Sequence, residues 1–199
     1  FIERCAARID TWIPEDRNKG VIYIAEARAL RALYYFELVR RWGNIPLMTS
    51  TAQSEMHPST FTQAAPQDVY AFIEEDLLYA VETLPYAKGD TFRKDNSYRF
   101  SKGAAMGLLA KVYATWAGYP VQDSSKWEEA AKAFSEAIEE NPNDAVAYIN
   151  FGNVLTAVGE TEKAVNFYKK ALTIDENAGA AFYALGNLYY ESEQYKDAN

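Results

Sequence analysis

The segment "AVAYINFGN" at residues 145–153 returns further along the chain as "GAAFYALGN" at residues 179–187. The segment "EEAAKAFSEAI" at residues 128–138 returns with the same shift as "EKAVNFYKKAL" at residues 162–172. Large and small side chains recur together at one fixed period, and this predicts one helix pair per period, each stacked on the next. The repeat therefore predicts an all-α fold built by stacking.

The 34-residue helix–turn–helix period resembles the tetratricopeptide repeat. The resemblance implies that the first helix of each pair, helix A, meets the second, helix B, closely at Gly152 and Gly186. Other matched positions are expected to fill the layers between the helices: Ala130, Ala164, Ala198, Phe134, Tyr168, Ala137, Ala171, Tyr148 and Phe182. The predicted fold class is all-α, a right-handed helical solenoid of tetratricopeptide-like helix pairs.

The residues before the repeat are also helical in pattern. Residues 21–42 place apolar side chains on one face, and Gly43 is expected to end that helix. A second helix is expected to begin near Pro66 and to end before residue 85. No stretch alternates apolar and polar residues for long enough to predict a strand.

Two more helices are expected between residues 101 and 140. The first has small residues at positions 103, 107, 110 and 114, which predict the close approach of a neighbouring helix. The second opens with Ser125 and Glu128, which have the spacing of a capping box. We also expect Trp42, Trp116 and Trp127 to belong to the core.

Three segments of this part resemble, in order, the helices of the SusD/RagB family. They are "AEARALRALYYFELVRRWGNIPLMT", "DVYAFIEEDLLYAVETLP" and "YRFSKGAAMGLLAKVYATWAGYP". This resemblance covers about residues 1–133, and the tetratricopeptide resemblance covers about residues 125–199. We therefore divide the chain into residues 1–138, a SusD-like region of degenerate repeats, and residues 139–199, regular repeats continuous with the first region. The abrupt change indicates an engineered or recombined fusion, or a natural mosaic.

Members of the SusD/RagB family are surface lipoproteins of Bacteroidetes that capture glycans or peptides on a TonB-dependent outer-membrane transporter. The resemblance implies a non-enzymatic binding scaffold for nutrient uptake, joined to a protein-interaction repeat. It also implies that most of the glycan site lies outside this sequence, so that glycan binding is expected only in a longer parent. Trp12 is the nearby candidate for an aromatic glycan platform. The alternative is a chimera whose repeats only complete and solubilise the scaffold, without a physiological ligand.

Composition excludes several other classes. The net charge is −8, and no basic stripe is present for nucleic acid. One cysteine, Cys5, and one histidine, His57, offer no disulfide or metal cluster, so Cys5 is expected to be buried and His57 to lie in a loop. No phosphate loop or nucleophile motif is found, and neither an enzyme nor a cofactor is expected. The chain shows no signal peptide, lipid anchor or membrane-spanning run, so it is expected to be soluble as given.

The predicted ligand site is the concave face formed by helix A of each repeat. Its candidate residues are Ile149, Asn150, Asn153, Tyr183, Asn187 and Tyr190. Asparagine amides there can bind the backbone of an extended peptide. Residues 139–199 hold 4 basic and 10 acidic residues, a net charge of −6, and we expect a neutral or basic ligand. The apolar face near Leu185, Leu188 and Tyr189 is expected to be frayed or covered by another molecule.

Overall fold

The computed structural model describes residues 1–50, 53, 57, 60–86 and 99–197, with side chains as far as Glu191. Most of these residues are helical. The α-helices are α1 (Ile2–Ala6), α2 (Pro14–Trp42), α3 (Pro66–Thr83), α4 (Lys102–Ala117), α5 (Lys126–Glu140), α6 (Ala145–Ala157), α7 (Thr161–Ile174) and α8 (Gly179–Asp197). A 3₁₀ helix covers Ile9–Thr11, and strands β1 (Ile45–Pro46) and β2 (Gln63–Ala64) pair in antiparallel fashion.

The helices stack as consecutive antiparallel pairs. The pairs are α2 with α3, α4 with α5, and α6 with α7, and each pair also contacts the next. Helices α2, α4, α6 and α8 touch one another in that order, so they form the helix A row of the stack. This arrangement confirms the predicted all-α solenoid of tetratricopeptide-like helix pairs.

The stack continues through the point where the sequence changes character. Helix α5 packs on α4 and on α6, as its several apolar faces predict. Val154 of α6 belongs to the same buried cluster as α2, α3 and α4. The rings of Phe134, Phe151 and Phe167 form a chain across the join, with centroid distances of 6.4 and 4.5 Å. Because burial of each large apolar side chain contributes about 1.5–3 kcal/mol, this contact joins the two regions firmly.

An ionic cluster holds the first helix pair together. Asp76 of α3 is 1% exposed and accepts two hydrogen bonds from Arg31 of α2, at 2.7 and 2.8 Å. Arg28 lies 3.6 Å from the same carboxylate and stacks over the ring of Tyr79. The guanidinium group of Arg31 lies over Phe72. The buried carboxylate is thus neutralised by groups that also cover apolar rings.

Several local expectations were wrong. Helix α2 begins at Pro14 rather than near residue 21, because the proline supplies a good first position and the next turn is helical. The two strands have two residues each, too short for an alternating pattern to reveal. The capping box at Ser125 does not form, because its hydroxyl donates to Asp123 instead.

Two of the burial predictions also failed. Trp42 is 71% exposed, since it lies in the last turn of α2 beyond Val39, the final buried residue of that helix. Cys5 is half-buried rather than buried, because α1 is short and packs mainly on α2. Trp116 is buried, Trp127 packs against the core, and His57 lies in a loop, all as expected.

The last helix departs from the repeat. Between α6 and α7 the chain turns at Gly159, whose φ is 83°, a value that favours glycine. Glu193 stands at the equivalent position one full repeat later, and α8 continues through it to Asp197. Leu185 and Leu188 are buried by the chain itself, which corrects the expectation that the face near them would be frayed or covered by another molecule, whereas Tyr189 is 47% exposed. The site predicted at Ala198 lies outside the described residues.

Candidate ligand-binding groove

The helix A row carries a cavity of about 400 Å³ between α6 and α8, here called the C-terminal cavity. It brings together four of the six predicted groove residues, which are Ile149, Asn153, Tyr183 and Asn187. Ile149 is mostly buried and belongs to the core, so it serves as floor rather than as an exposed contact. Tyr183 is 74% exposed and offers its ring to solvent. The cavity therefore has an apolar floor, amide groups and an open aromatic wall.

Asn153 is held in a defined orientation by helix B of its own repeat. The hydroxyl of Tyr168 donates to Asn153 Oδ1 at 2.8 Å and lies 3.1 Å from Thr156 Oγ1. Burial raises the pKa of Tyr168, and the hydrogen bond with Thr156 lowers it less, so this phenol stays protonated and remains a donor. With its carbonyl oxygen engaged, Asn153 presents its amide N–H groups to a ligand. A ligand that bonds to these N–H groups would supply a hydrogen-bond acceptor.

The charge of the cavity also restricts its ligand. Among the described residues that line it, Glu191 carries the one formal charge, and neither lysine nor arginine lines it. A ligand carboxylate would find no charge-assisted hydrogen bond here and would meet the field of Glu191. This geometry supports the expectation of a neutral or basic ligand.

A larger cavity of about 550 Å³ lies where the two regions meet, here called the seam cavity. Its lining includes residues of α4, α5 and α6, among them Asn150, which does not line the C-terminal cavity. Asn150 and Asn153 together line a smaller cavity of about 240 Å³ beside Trp127. Gly103 and Gly107 open this cavity: a Cβ at Gly107 would meet no atom within 4 Å, and one at Gly103 would meet Glu140 at 3.6 Å. The expected close approach of a neighbouring helix is therefore wrong at Gly107, which borders open space. At Gly103 the Glu140 side chain of α5 lies at ordinary contact distance, and Ala110 is fully buried.

The seam cavity also contains charged and aromatic groups that the sequence pattern did not indicate. Lys111 and Glu140 line it from α4 and α5, and Tyr86 also lines it. Asp144 also lines it but caps α6, accepting from the backbone N–H groups of residues 146 and 147 at 3.0 and 3.2 Å. The row of small residues on α4 was the available signal, but it predicts a cavity and a close contact equally well.

The remaining candidates lie apart from both cavities. Tyr190 is exposed and lines neither of them. Trp12 lines a third cavity of about 520 Å³, with Ile13 and Tyr23 in its wall. Its ring packs so closely on Gly20 that an added Cβ would stand 2.5 Å away. The indole is thus partly used in holding the first residues against α2.

Two further findings concern metal binding and membrane crossing in the described part of the chain. Its histidine, cysteine and acidic side chains nowhere gather in a group of three that could hold a metal ion. None of its helices combines the length and the apolar character needed to cross a membrane.

The fold defines a class, the helical solenoid of tetratricopeptide type. Comparison with known families places the chain more narrowly. Residues 13–114, which are 102 of the 199 residues, match a SusD-like family model described as "Starch-binding associating with outer membrane". Residues 133–166 and 152–192 match two tetratricopeptide repeat models. The chain belongs to the SusD-like family and carries tetratricopeptide repeats.

Individual relatives show the same division. A SusD-like protein of Bacteroides ovatus is 32% identical over 124 residues, which are 61% of this chain and 21% of that protein. The repeat-containing protein YrrB of Bacillus subtilis is 58% identical over 36 residues, 18% of each chain. The crystal structure of a SusD homolog from Bacteroides thetaiotaomicron superposes with a TM-score of 0.68 and 57% identity, covering 70% of this chain and 26% of that one. The chain thus spans about a fifth to a quarter of these SusD-like relatives.

Proposed function

We propose that the chain is a non-enzymatic binding scaffold that combines two roles along one stack of helices. Residues 1–138 supply helices of a SusD-like protein that captures glycans or other nutrients at the outer membrane with a TonB-dependent transporter. Residues 139–199 supply a groove for a peptide or protein. The parent is a cell-surface lipoprotein of Bacteroidetes, and the glycan is bound by that longer protein.

The glycan-uptake role is supported by the family match over residues 13–114 and by its starch-binding description. A direct test is to express the tagged chain in a Bacteroides cell behind the leader and lipid anchor of a SusD-like lipoprotein, with the comparison bait exported in the same way, and to isolate it from outer membranes dissolved in mild detergent. Enrichment of a TonB-dependent transporter over a bait that contains tetratricopeptide repeats alone is the expected result. Equal recovery with both baits would contradict the transporter partnership.

The peptide role is carried by the way Tyr168 orients Asn153 in the C-terminal cavity. An extended peptide backbone offers carbonyl acceptors to the amide N–H groups of Asn153, and its side chains can lie on Tyr183. The acidic field of the region favours basic peptides by steering and by direct attraction to Glu191. The proposed ligand is a neutral or basic extended segment.

A peptide array covering basic, neutral and acidic segments tests this role, with hits confirmed by calorimetric titration. Asn153→Ala and Asn187→Ala are each expected to weaken binding roughly 2- to 12-fold, the equivalent of one hydrogen bond. Asn166→Ala, on an exposed position of α7, is the matched control and is expected to bind as the parent does. Preference for acidic C-termini would contradict the proposal.

The second candidate function is that the repeats only complete the SusD-like scaffold. The buried core that continues across α5 favours this function, because burial of Phe134 and Val154 stabilises the contact between the two regions without any ligand. The array decides between the two: a groove that binds no segment of any charge at millimolar concentration leaves scaffold completion as the role of the repeats.

A further inference from the structure

The small cavity of about 240 Å³ on the helix A row, here called the bridging cavity, connects the two larger ones. It shares Lys111, Phe134 and Asn150 with the seam cavity. It shares Asn153 with the C-terminal cavity. The three cavities therefore follow one another along the row and form one groove across α4, α6 and α8.

Residues of both regions form the walls of the bridging cavity. Those on α4 and α5 are Lys111, Ala114, Thr115, Trp127 and Phe134, and those on α6 are Asn150, Asn153 and Val154. Neither region contains the whole cavity, so a ligand bound here contacts both of them.

Lys111 carries the one formal charge among the described residues that line the bridging cavity. Within the described part of the chain, no salt bridge or side-chain hydrogen bond engages its ammonium group. Glu140 and Asp144 line the seam cavity but not this one. Glu140 lies beside Gly103, which is about 12 Å from Lys111 along the axis of α4. The ammonium group is therefore open to a ligand that carries a carboxylate.

The neighbours of Lys111 add donors and an apolar wall. The hydroxyl of Tyr168 engages the carbonyl oxygen of Asn153, so the amide N–H groups of Asn153 are the part that a ligand meets. The half-buried ring of Trp127 supplies the apolar wall. An ammonium group, amide N–H groups and an apolar wall together suit a carboxylate on a short apolar stem, such as an aspartate or glutamate side chain.

The opposite charge lies at the other end of the groove, where Glu191 of α8 lines the C-terminal cavity. Axes of packed helices are about 8–10 Å apart, so α4 and α8, two steps apart in the row, are separated by about 16–20 Å. An extended peptide advances about 3.3 Å per residue and covers this distance in about five or six residues.

We propose that the groove binds an extended peptide segment with an acidic residue at Lys111 and a basic residue at Glu191, about five or six positions apart. This inference rests on the proposed peptide role of the C-terminal cavity. It adds the charge pattern of the ligand and gives the SusD-like region a part in binding it. The two ligand charges cancel, so the segment remains within the neutral class that the acidic chain accepts.

The test uses the full chain and labelled peptides with blocked ends, each with one glutamate and one lysine in an uncharged background. The two charges are placed from about two to about eight positions apart, on either side of the expected spacing and in both orders. Fluorescence polarisation is expected to show the tightest binding at about five or six positions. Replacing the glutamate of that peptide by glutamine is expected to weaken binding about fivefold, because Lys111 is exposed and its ion pair is partly screened.

Charge reversal locates the acidic end of the ligand. Lys111→Glu is expected to weaken binding of the best peptide at least about tenfold. The same variant is expected to bind a peptide with lysine in place of the glutamate more tightly than the parent chain does. Lys169→Glu, exposed on α7 and outside the three cavities, makes the same change in net charge and is the matched control. Circular dichroism checks that both variants keep the helical content of the parent.

The outcomes separate this inference from the proposed function. Binding that Asn153→Ala weakens, but that Lys111→Glu and the charge spacing leave unchanged, would overturn the charge pattern and keep the peptide role. Binding that Lys111→Glu and Lys169→Glu weaken equally would reflect net charge alone and would also overturn the inference. No saturable binding of any peptide at millimolar concentration would overturn both the inference and the peptide role.

Discussion

Alanine substitution at two equivalent glycines should have opposite effects on stability. In Gly152→Ala the new Cβ would stand 2.5, 2.8 and 2.9 Å from three carbons of the Tyr168 ring. These distances are too short for contact, so the ring must move, and it is almost fully buried and hydrogen-bonded to Asn153. In Gly186→Ala the new Cβ meets nothing within 4 Å.

The magnitudes follow from the structure. Overpacking at position 152 costs about 1–3 kcal/mol. Displacing the Tyr168 hydroxyl costs about 1 kcal/mol, and the better helix propensity of alanine returns about 1 kcal/mol. We expect Gly152→Ala to lower the free energy of unfolding by about 1–3 kcal/mol. Gly186→Ala should leave it unchanged or raise it by up to about 1 kcal/mol.

Equilibrium urea unfolding followed by circular dichroism measures both changes, with each glycine variant as the control for the other. The two substitutions change the chemistry of the chain identically, so any difference reports the environment alone. A Gly152→Ala variant as stable as Gly186→Ala would refute the packing of Tyr168 on α6.

Three other outcomes are expected. In the same urea assay, Asp76→Ala should lower the free energy of unfolding by about 2–3 kcal/mol, near the low end for buried pairs because Arg31 is partly exposed. The control Glu75→Ala removes an exposed carboxylate and should change it by less than about 0.5 kcal/mol. Burial raises the pKa of Tyr168 in the folded chain. The stability that the protonated phenol contributes is therefore complete below about pH 10, the unfolded value, and declines as the pH rises through the folded pKa. Urea unfolding between pH 9 and pH 11, a range set by that value, should therefore show a smaller alkaline loss in Tyr168→Phe, and equal losses would contradict this. Malto-oligosaccharides should give no saturable heat with this chain, while saturable binding that Trp12→Ala abolishes would place a glycan site in the N-terminal cavity.

Much of the fold could be predicted because its signals are local. The recurrence of alanine, aromatic and glycine positions at one fixed period predicts paired helices wherever the chain continues, and α6 and α7 follow it closely. The apolar faces of residues 126–140 predict contacts on two sides, and α5 makes both. The groove was predicted in part, since Asn153, Tyr183 and Asn187 share one cavity.

The rest depended on which elements meet in space. Gly152 and Gly186 hold equivalent places in the repeat, and each is followed by asparagine, yet α7 packs on the first and no described residue comes close to the second. Gly107 of α4 borders a cavity rather than a close contact because no neighbouring element places an atom within 4 Å of its Cβ position. Trp42 has a large apolar side chain of the kind found in cores, but it lies about one turn beyond the last buried residue of α2. The sequence by itself determined the helices and their repeat, because those depend on neighbours along the chain. Only the tertiary structure decided which faces are covered, because burial depends on residues that are distant in sequence.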